Sequence, residues 1–496
     1  MKHKICLLLF VCLNYLTGKS QNLFVADYAL NGSVNKSLIC YDRSFFRAIL
    51  LTTAQIVNVM KTDSAGNVLW SNDITYPNAT FFSLTDIVQA ADSGFLILVN
   101  WRLTGSNHSD PTVTKLDKNG NHLWTHTYIS VLSAYGYGII KNNDNGFIVV
   151  GSRQLVDFVM KCDATGSIIW IKQFGGIGAA ASNYDIATHD YNRFVVTGRH
   201  GTMVTFFQID LSGNLYWHTA FTYVNSGIMT QSLKPLSNGG YAATGIVDYT
   251  TSFSHDGFLL KTDSAGTLQW LKIYEANQGT GTDVAELPDS SLLMVGKGSL
   301  GGLALKTDKD GNFQFAKTET VQDYYASVNL YSPGIVMLSG RLSYPFIALT
   351  DTACSSLCNI TPFTIPEYTP AYTDTLLNFA PITLPFADDT AQIIYAVHPL
   401  TTNVLCGFTS TEENVSQNET EIYPNPIIDK LNITNSTDEL SEIILYDIAS
   451  RKLLQQKFSH TVTLNTAQLA KGIYFYEMRN PDGSGGVVKK GKVVKE

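Results

Sequence analysis

The sequence predicts an all-β protein, a seven-bladed β-propeller followed by a small β-sandwich. Three observations carry that expectation. The pattern Lys-x-Asp-x-x-Gly-x-x-x-Trp recurs along most of the chain. Each copy follows a polar turn and an apolar strand. Residues 421–496 drop both features and read as short strands with turn punctuation between them.

The repeat has a local physical reading. Clear copies run over 61–70, 115–124, 161–170 and 261–270, with weaker ones over 208–217 and 306–315. A decayed seventh survives as Leu349-Thr350-Asp351, and successive starts lie 43 to 54 residues apart. In each copy the Asp can accept hydrogen bonds from the backbone N–H groups of the turn that it opens. The Gly supplies the positive φ at the end of that turn. These residues are Asp63 and Gly66, Asp117 and Gly120, Asp163 and Gly166, Asp210 and Gly213, Asp263 and Gly266, and Asp308 and Gly311. An aromatic follows on the returning strand, at Trp70, Trp124, Trp170, Trp217 and Trp270, with Phe315 in the sixth copy. The pattern is a β-hairpin with a tight polar tip, and its turn residues are expected to be structural.

The upstream landmark supplies two more strands per unit. Asp92-Ser93-Gly94 precedes Phe95-Leu96-Ile97-Leu98, and Asn145-Gly146 precedes Phe147-Ile148-Val149-Val150. Similar pairs start near Asn192, Gly239, Ser290 and Gly334. Four strands every 40–50 residues are the period of propeller blades. The seventh repeat ends without its last strand. Phe24 and Tyr28 reproduce the spacing of Trp124 and Tyr128, so the N-terminal strand is expected to close the ring. Propeller limits of 21–353 follow.

Composition bounds the setting. The chain has 496 residues, 15% charged and 11% aromatic, with a net charge of −8. A net charge of this sign implies no large basic surface, which argues against nucleic acid as a partner. Residues 1–20 read as a secretory signal peptide, with Lys2 and Lys4 before the apolar run Ile5–Leu16 and small residues near Ser20. Of seven cysteines, Cys6 and Cys12 leave with that peptide. Cys40 and Cys162 fall on expected strands. Cys358 and Cys406 flank an irregular stretch and are the expected disulfide, with Cys354 as the alternative partner. Closing that loop would contribute about 4 kcal/mol.

Residues 354–409 are rich in Pro and lack the turn motif, and they are expected to form an appendage packed on the propeller. Ile393–Val397 and Asn403–Cys406 are its two candidate strands. Residues 410–420 are polar, without apolar periodicity, and read as a linker. Strands are expected near 430–433, 442–447, 452–458, 461–464, 472–479 and 486–494.

This last stretch carries a resemblance. Tyr423-Pro424-Asn425-Pro426, Leu431-Asn432-Ile433, Tyr446-Asp447, Gly472-Ile473-Tyr474 and a terminal run with Lys492 and Lys495 occur in order. They resemble the type A sorting domain of the type IX secretion system. The one departure is Ala449-Ser450, where the family often has Gly after the Tyr-Asp pair. The resemblance implies an immunoglobulin-like sandwich at 421–496 that engages an outer-membrane translocon and a surface sortase. It implies a chain that is secreted or attached to the outer face of a Gram-negative outer membrane. The repeats also resemble those of secreted propellers that carry such tails, a match of architecture and not of activity.

Chemistry is not legible in the sequence. Quinoprotein propellers use a related tryptophan repeat, but they need cofactor ligands and often adjacent cysteines, which this chain lacks. The Asp boxes of sialidase-type propellers differ in spacing and are structural. Asp308-Lys309-Asp310-Gly311 followed by Glu319 has the ends of a calcium loop without its intermediate carboxylates. His122 and His126 share a strand face and lack a third ligand, and His189-Asp190 lacks a nucleophile. No catalytic, cofactor or metal residue is assigned. The expected role is a monomeric binding or adhesion module with a glycan or protein ligand. The alternative is a hydrolase acting on glycans in the propeller funnel.

Overall fold

The computed structural model describes residues 24–355 and 420–495 apart from short connecting stretches, together with seven strand segments within 360–407. The expected signal peptide lies outside the described residues, as does the linker except for Thr420. The chain divides into two compact units, Met1–Phe408 and Thr409–Glu496. Every regular element among the described residues is a β-strand.

The first unit contains seven five-stranded antiparallel sheets. One sheet takes its first four strands from consecutive segments, Ser33–Ile39, Phe45–Leu51, Ile56–Thr62 and Val68–Thr75. Five more sheets repeat this order along the chain. The first strand of each sheet contacts the first strands of the two neighbouring sheets, and the contacts run in a closed cycle. Apolar layers fill the spaces between sheets. Phe46, Phe95 and Trp70 meet in one of them, with the two Phe rings stacked at 3.9 Å.

The seventh sheet joins the two ends of the unit. Its strands Tyr324–Ser332, Ile335–Arg341 and Pro345–Asp351 come from the end of the repeats, and Phe24–Tyr28 is the fourth. Phe24 stands opposite Leu349, and Asp27 opposite Phe346. Trp70 stands opposite Lys61, so Phe24 holds the register position of a repeat Trp, as its spacing predicted.

The Pro-rich segment is more than the appendage the sequence suggested. It supplies the fifth strand of every one of the seven sheets. Ile360–Phe363, Glu367–Tyr368, Tyr372–Leu376, Ile382–Thr383, Ala387–Thr390, Ile394–Val397 and Thr402–Gly407 visit the sheets in reverse chain order. Each pairs antiparallel with a fourth strand, for instance Ile394 with Thr75 and Thr402 with Tyr28. The belt satisfies the outer edges that these strands would otherwise present unpaired. Pro362 lies within the first of these strands, on a sheet edge, where a residue without an N–H is tolerated. Only the last two of its strands were expected from the sequence.

The second unit has a three-stranded sheet, Thr420–Tyr423, Lys430–Asn435 and Thr461–Asn465. A four-stranded sheet holds Lys452–Phe458, Ser441–Tyr446, Gly472–Arg479 and Val487–Lys495. Alternating residues of both sheets, among them Leu431, Ile433, Ile443, Leu445, Tyr476 and Met478, bury one shared core.

Candidate functional site

The turn motif proves to be an interlock between neighbouring sheets. Asp117 accepts hydrogen bonds from the N–H groups of Asn119 and Asn121, both at 2.8 Å, and from the Asn121 amide at 2.9 Å. Asp63, Asp163, Asp210, Asp263 and Asp308 accept the same two backbone donors in their own turns. Burial pushes the carboxyls of Asp117, Asp163, Asp210 and Asp308 up slightly, but these donors outweigh it and hold them below the usual value. The Asp308 carboxylate, one end of the calcium-like run, is occupied in this way.

The Gly residues serve two needs. Gly66, Gly120, Gly166, Gly213, Gly266 and Gly311 all have φ between 71° and 94°. Four of them also seat the Trp of the preceding sheet. A Cβ on Gly120 would lie 2.8 Å from Trp70, on Gly166 3.1 Å from Trp124, on Gly266 2.4 Å from Trp217 and on Gly311 2.9 Å from Trp270. At Gly213 the neighbour is Lys172, while the Trp170 indole N–H donates to the Leu211 carbonyl at 3.1 Å. The hydroxyls of Tyr28, Tyr128 and Tyr274 donate to the carbonyls of Gly66, Gly166 and Gly311. The motif Lys is part of the same device. Lys61 pairs with Asp42 at 2.7 Å and Lys115 with Asp92 at 2.6 Å, tying the two turns of one sheet together.

The other residues singled out by the sequence lie apart. His122 hydrogen bonds to Thr125 at 3.0 Å, His126 packs edge-on to Trp124, and His189 meets the Gly240 carbonyl at 3.2 Å. Among the described residues no group of three or more His, Cys, Asp or Glu could hold a metal ion. Cys40, Cys162 and Cys354 are buried thiols. Burial pushes the Cys354 thiol up to about 12. Cys358 lies outside the described residues, and of Cys406 only the backbone, opposite Val25, is described. The expected Cys358–Cys406 disulfide therefore falls outside them too.

The centre of the ring holds a constellation that the sequence reading missed. All seven first strands carry a β-bulge at the same point, where one residue drops out of register. The residues just after the bulges are Lys36, Asp86, Gly138, Asp185, Ser232, Asp283 and Ser327. Asp86, Asp185 and Asp283 come from alternate sheets and are at most 5% exposed. Each reaches the next sheet: they accept the N–H groups of Ile139 at 2.9 Å, Leu233 at 2.8 Å and Val328 at 3.0 Å. An odd number of sheets breaks the alternation of Asp with a small residue, and Lys36 stands at the break. Its ammonium lies 3.2 Å from Asp86 and 3.8 Å from Asp185, while Lys234 lies 3.2 Å from Asp283. Burial would lower the Lys36 pKa, but Asp185, Asp86 and Asp283 outweigh it and raise it. The signal was present in Thr85-Asp86-Ile87, Tyr184-Asp185-Ile186 and Thr282-Asp283-Val284, each Asp nine places before the next apolar strand.

Two cavities open from this constellation, and Lys36 lines both. One, of about 370 Å³, lies toward the turns between first and second strands and includes Tyr41, Gln89, Lys141 and Tyr191. There the Lys141 ammonium donates to the Tyr41 hydroxyl at 2.6 Å and lies 4.4 Å from the Tyr191 ring centroid. The other, of about 320 Å³, lies at the starts of the first strands. Its lining includes the bulged residues Thr85, Tyr137, Tyr184, Gln231 and Thr282, with Tyr324 beside them. The Tyr137 and Tyr184 ring centroids are 5.5 Å apart.

In the second unit, Tyr423 is 48% exposed. Pro424, Asn425, Pro426 and the Ala449-Ser450 departure lie outside the described residues. Tyr474 is buried, and its hydroxyl donates to the Ala470 carbonyl at 2.6 Å. Gly472 and Lys492 pair with Lys495 and Phe475 across the four-stranded sheet, and the Lys495 ammonium donates to the Ile428 carbonyl.

Comparison with known proteins bears on each unit differently. No curated protein matches the chain in sequence. Among solved structures, the extracellular domain of a putative one component system from B. thetaiotaomicron matches at 8% identity and a TM-score of 0.43. The alignment covers 98% of this chain and 57% of that one. PorZ, a surface component of the type-IX secretion system of Porphyromonas gingivalis, matches at 12% identity and a TM-score of 0.37, covering 92% and 69%. An alpha-L-arabinofuranosidase of Fusarium graminearum matches at 8% and 0.36, covering 67% and 98%. At these values the likenesses carry no argument about what the first unit binds or does. Residues 421–494 match the family described as the secretion system C-terminal sorting domain. They are a domain of that family, and by it the chain is directed through the type IX system to the outside of the cell.

Proposed function

We propose that the first unit is a seven-bladed β-propeller that binds a glycan or protein at the cell surface without catalysis. The single observation that carries this reading is the division of labour at the ring centre. Its three carboxylates each hold a backbone N–H of the next sheet, and Lys or Ser occupies the other oxygens of Asp86 and Asp283. Groups so engaged are poorly placed to act as general acid, base or nucleophile, which need a free approach to the reacting atom. The cavity beside them is instead lined by aromatic rings, hydroxyls and an amide, the composition of a recognition pocket. The closed cycle of seven sheets supports the blade count.

The second unit is read as an immunoglobulin-like sandwich that engages the translocon and the surface sortase. The propeller is read as a monomer. The competing assignment, a glycan hydrolase, predicts that new reducing ends appear when the purified protein meets its ligand. The binding reading predicts retention of ligand without them. Both are measured in one incubation over a panel of glycans and surface proteins. Steady release of reducing ends would overturn the reading.

A further inference from the structure

We propose that the ligand is an uncharged glycan, held by the end of its chain in the cavity of about 320 Å³. This rests on the binding reading above and names the chemistry of that site.

Lys36 is the charged residue of the cavity lining. An ammonium offers three donors. The Asp86 carboxylate takes one at 3.2 Å, and Asp185 at 3.8 Å is an ion-pair contact beyond hydrogen-bond reach. The side chain is 22% exposed, so a donor is left for an acceptor that arrives from the cavity. The charge around it selects that acceptor. Asp86, Asp185 and Asp283 face Lys36 and Lys234, an excess of one negative charge. An anionic group brought to Lys36 would find that ammonium already facing the Asp86 and Asp185 carboxylates, which line the other cavity, and it would lose its hydration. A cationic group would meet the Lys36 ammonium first. A hydroxyl oxygen takes the free donor without either penalty.

The walls complete the match. Tyr137 and Tyr184 are half-buried, their ring planes are tilted by 52° to each other, and both line the cavity with aromatic surface against which the C–H face of a sugar can pack. The Thr85 hydroxyl already donates to the Leu98 carbonyl at 3.1 Å, and the Thr282 hydroxyl to the Tyr325 carbonyl at 2.7 Å. Their oxygens are left as acceptors for sugar hydroxyls. The site thus sets donors, among them the Lys36 ammonium and the Gln231 amide, beside hydroxyl acceptors and aromatic rings, the complement of a pyranose ring. Its volume is near the lower end of the range for ligand pockets, ~300–1,000 Å³, and Lys36 stands between it and the second cavity. A space of this size takes roughly one or two sugar rings, as a chain end entering it would supply.

The test is an array of neutral oligosaccharides beside sulfated and uronic-acid counterparts of the same length, probed with the purified full chain. Titration calorimetry then compares the wild type with Tyr137→Ala and Tyr137→Phe, with melting temperature as the folding control. The expected result is binding of neutral sugars only. Tyr137→Ala should weaken it about tenfold, and Tyr137→Phe, which keeps the ring, less than about threefold. Binding limited to acidic sugars, no binding to any sugar, or equal affinity for wild type and a folded Tyr137→Ala would overturn the proposal. If a peptide or an acidic sugar binds and Tyr137→Ala abolishes it, the ligand class falls while the binding reading stands. Release of reducing ends from a bound sugar would remove the binding reading itself.

Discussion

Replacing Gly266 with Ala tests whether the repeated turn fastens one sheet to the next. Two separate costs are expected. Gly266 has φ +79°, and an L-residue there costs about 1–2 kcal/mol. Its new methyl would also lie 2.4 Å from Cζ3 of Trp217 and 2.6 Å from Cη2. The indole must move from its seat, which for overpacked cores costs about 1–3 kcal/mol. The sum is about 2–5 kcal/mol. Gly334 separates the two terms. Its φ is +87°, but nothing lies within 4 Å of its ideal Cβ. Gly334→Ala should therefore cost only the backbone term, about 1–2 kcal/mol. Urea unfolding of both variants, followed by tryptophan fluorescence, measures the difference. Trp217→Phe in the Gly266→Ala background should recover part of the loss, because the smaller ring leaves room. If Gly266→Ala is no more costly than Gly334→Ala, the interlock contributes nothing and the repeat is only a turn signal.

Three further outcomes follow from the same structure. Asp117→Ala removes three hydrogen bonds at an exposed turn, where water replaces much of what is lost, so it should cost about 1 kcal/mol. Equal melting temperatures together with loss of a metal from the wild type would show that the carboxylate is a ligand instead. His218 is buried, and burial, with the nearby His200 second, lowers its pKa from 6.5 to about 4. The unfolded chain then takes up a proton that the folded chain refuses, so stability is full above pH 6.5 and falls as pH drops toward 4. The loss should approach about 3 kcal/mol, and His218→Asn should flatten that part of the urea-stability profile. An unchanged slope would clear His218 of the effect. Deleting residues 21–30 removes the strand that completes the seventh sheet and should lower the single melting transition of the whole first unit. A chain that keeps its transition, or loses only a minor early phase, would refute closure by that strand.

The sequence displayed what is repeated and concealed what is long-range. The Asp-Gly turns were legible because each is built within five residues, from Asp117 to Asn121 for example. The position of Phe24 was legible because it copies a spacing found elsewhere in the chain. The second function of the Gly residues was not, since Trp217 and Gly266 meet only when two sheets pack. The belt was hidden for a related reason. Glu367–Tyr368 and Ile382–Thr383 are two-residue strands with no periodicity of their own, and their partners are over 90 residues away. The ring centre was half legible. Three Asp residues share one offset from the next strand, but Lys36, Gly138, Ser232 and Ser327 hold that offset with different chemistry. A search for identical residues passes over a position whose role is shared while its side chain is not.

Tyr184 and Asp185 are neighbours in the chain, one proposed to bind the ligand and the other to hold the ring together. Asp185 holds the Leu233 N–H at 2.8 Å and its own neighbour Ile186 at 2.9 Å, while Tyr184 lines the cavity. Paired measurements of melting temperature and ligand affinity on Asp185→Asn and Tyr184→Ala separate a structural carboxylate from a ligand-binding ring. Asp185→Asn should lose about 2–4 kcal/mol of stability and, where it folds, bind as the wild type does. Tyr184→Ala should keep its melting temperature within a few degrees and lose most of its affinity. The reverse pattern, a stable Asp185→Asn that no longer acts on or holds the ligand, would place the chemistry on the carboxylates and overturn the binding reading.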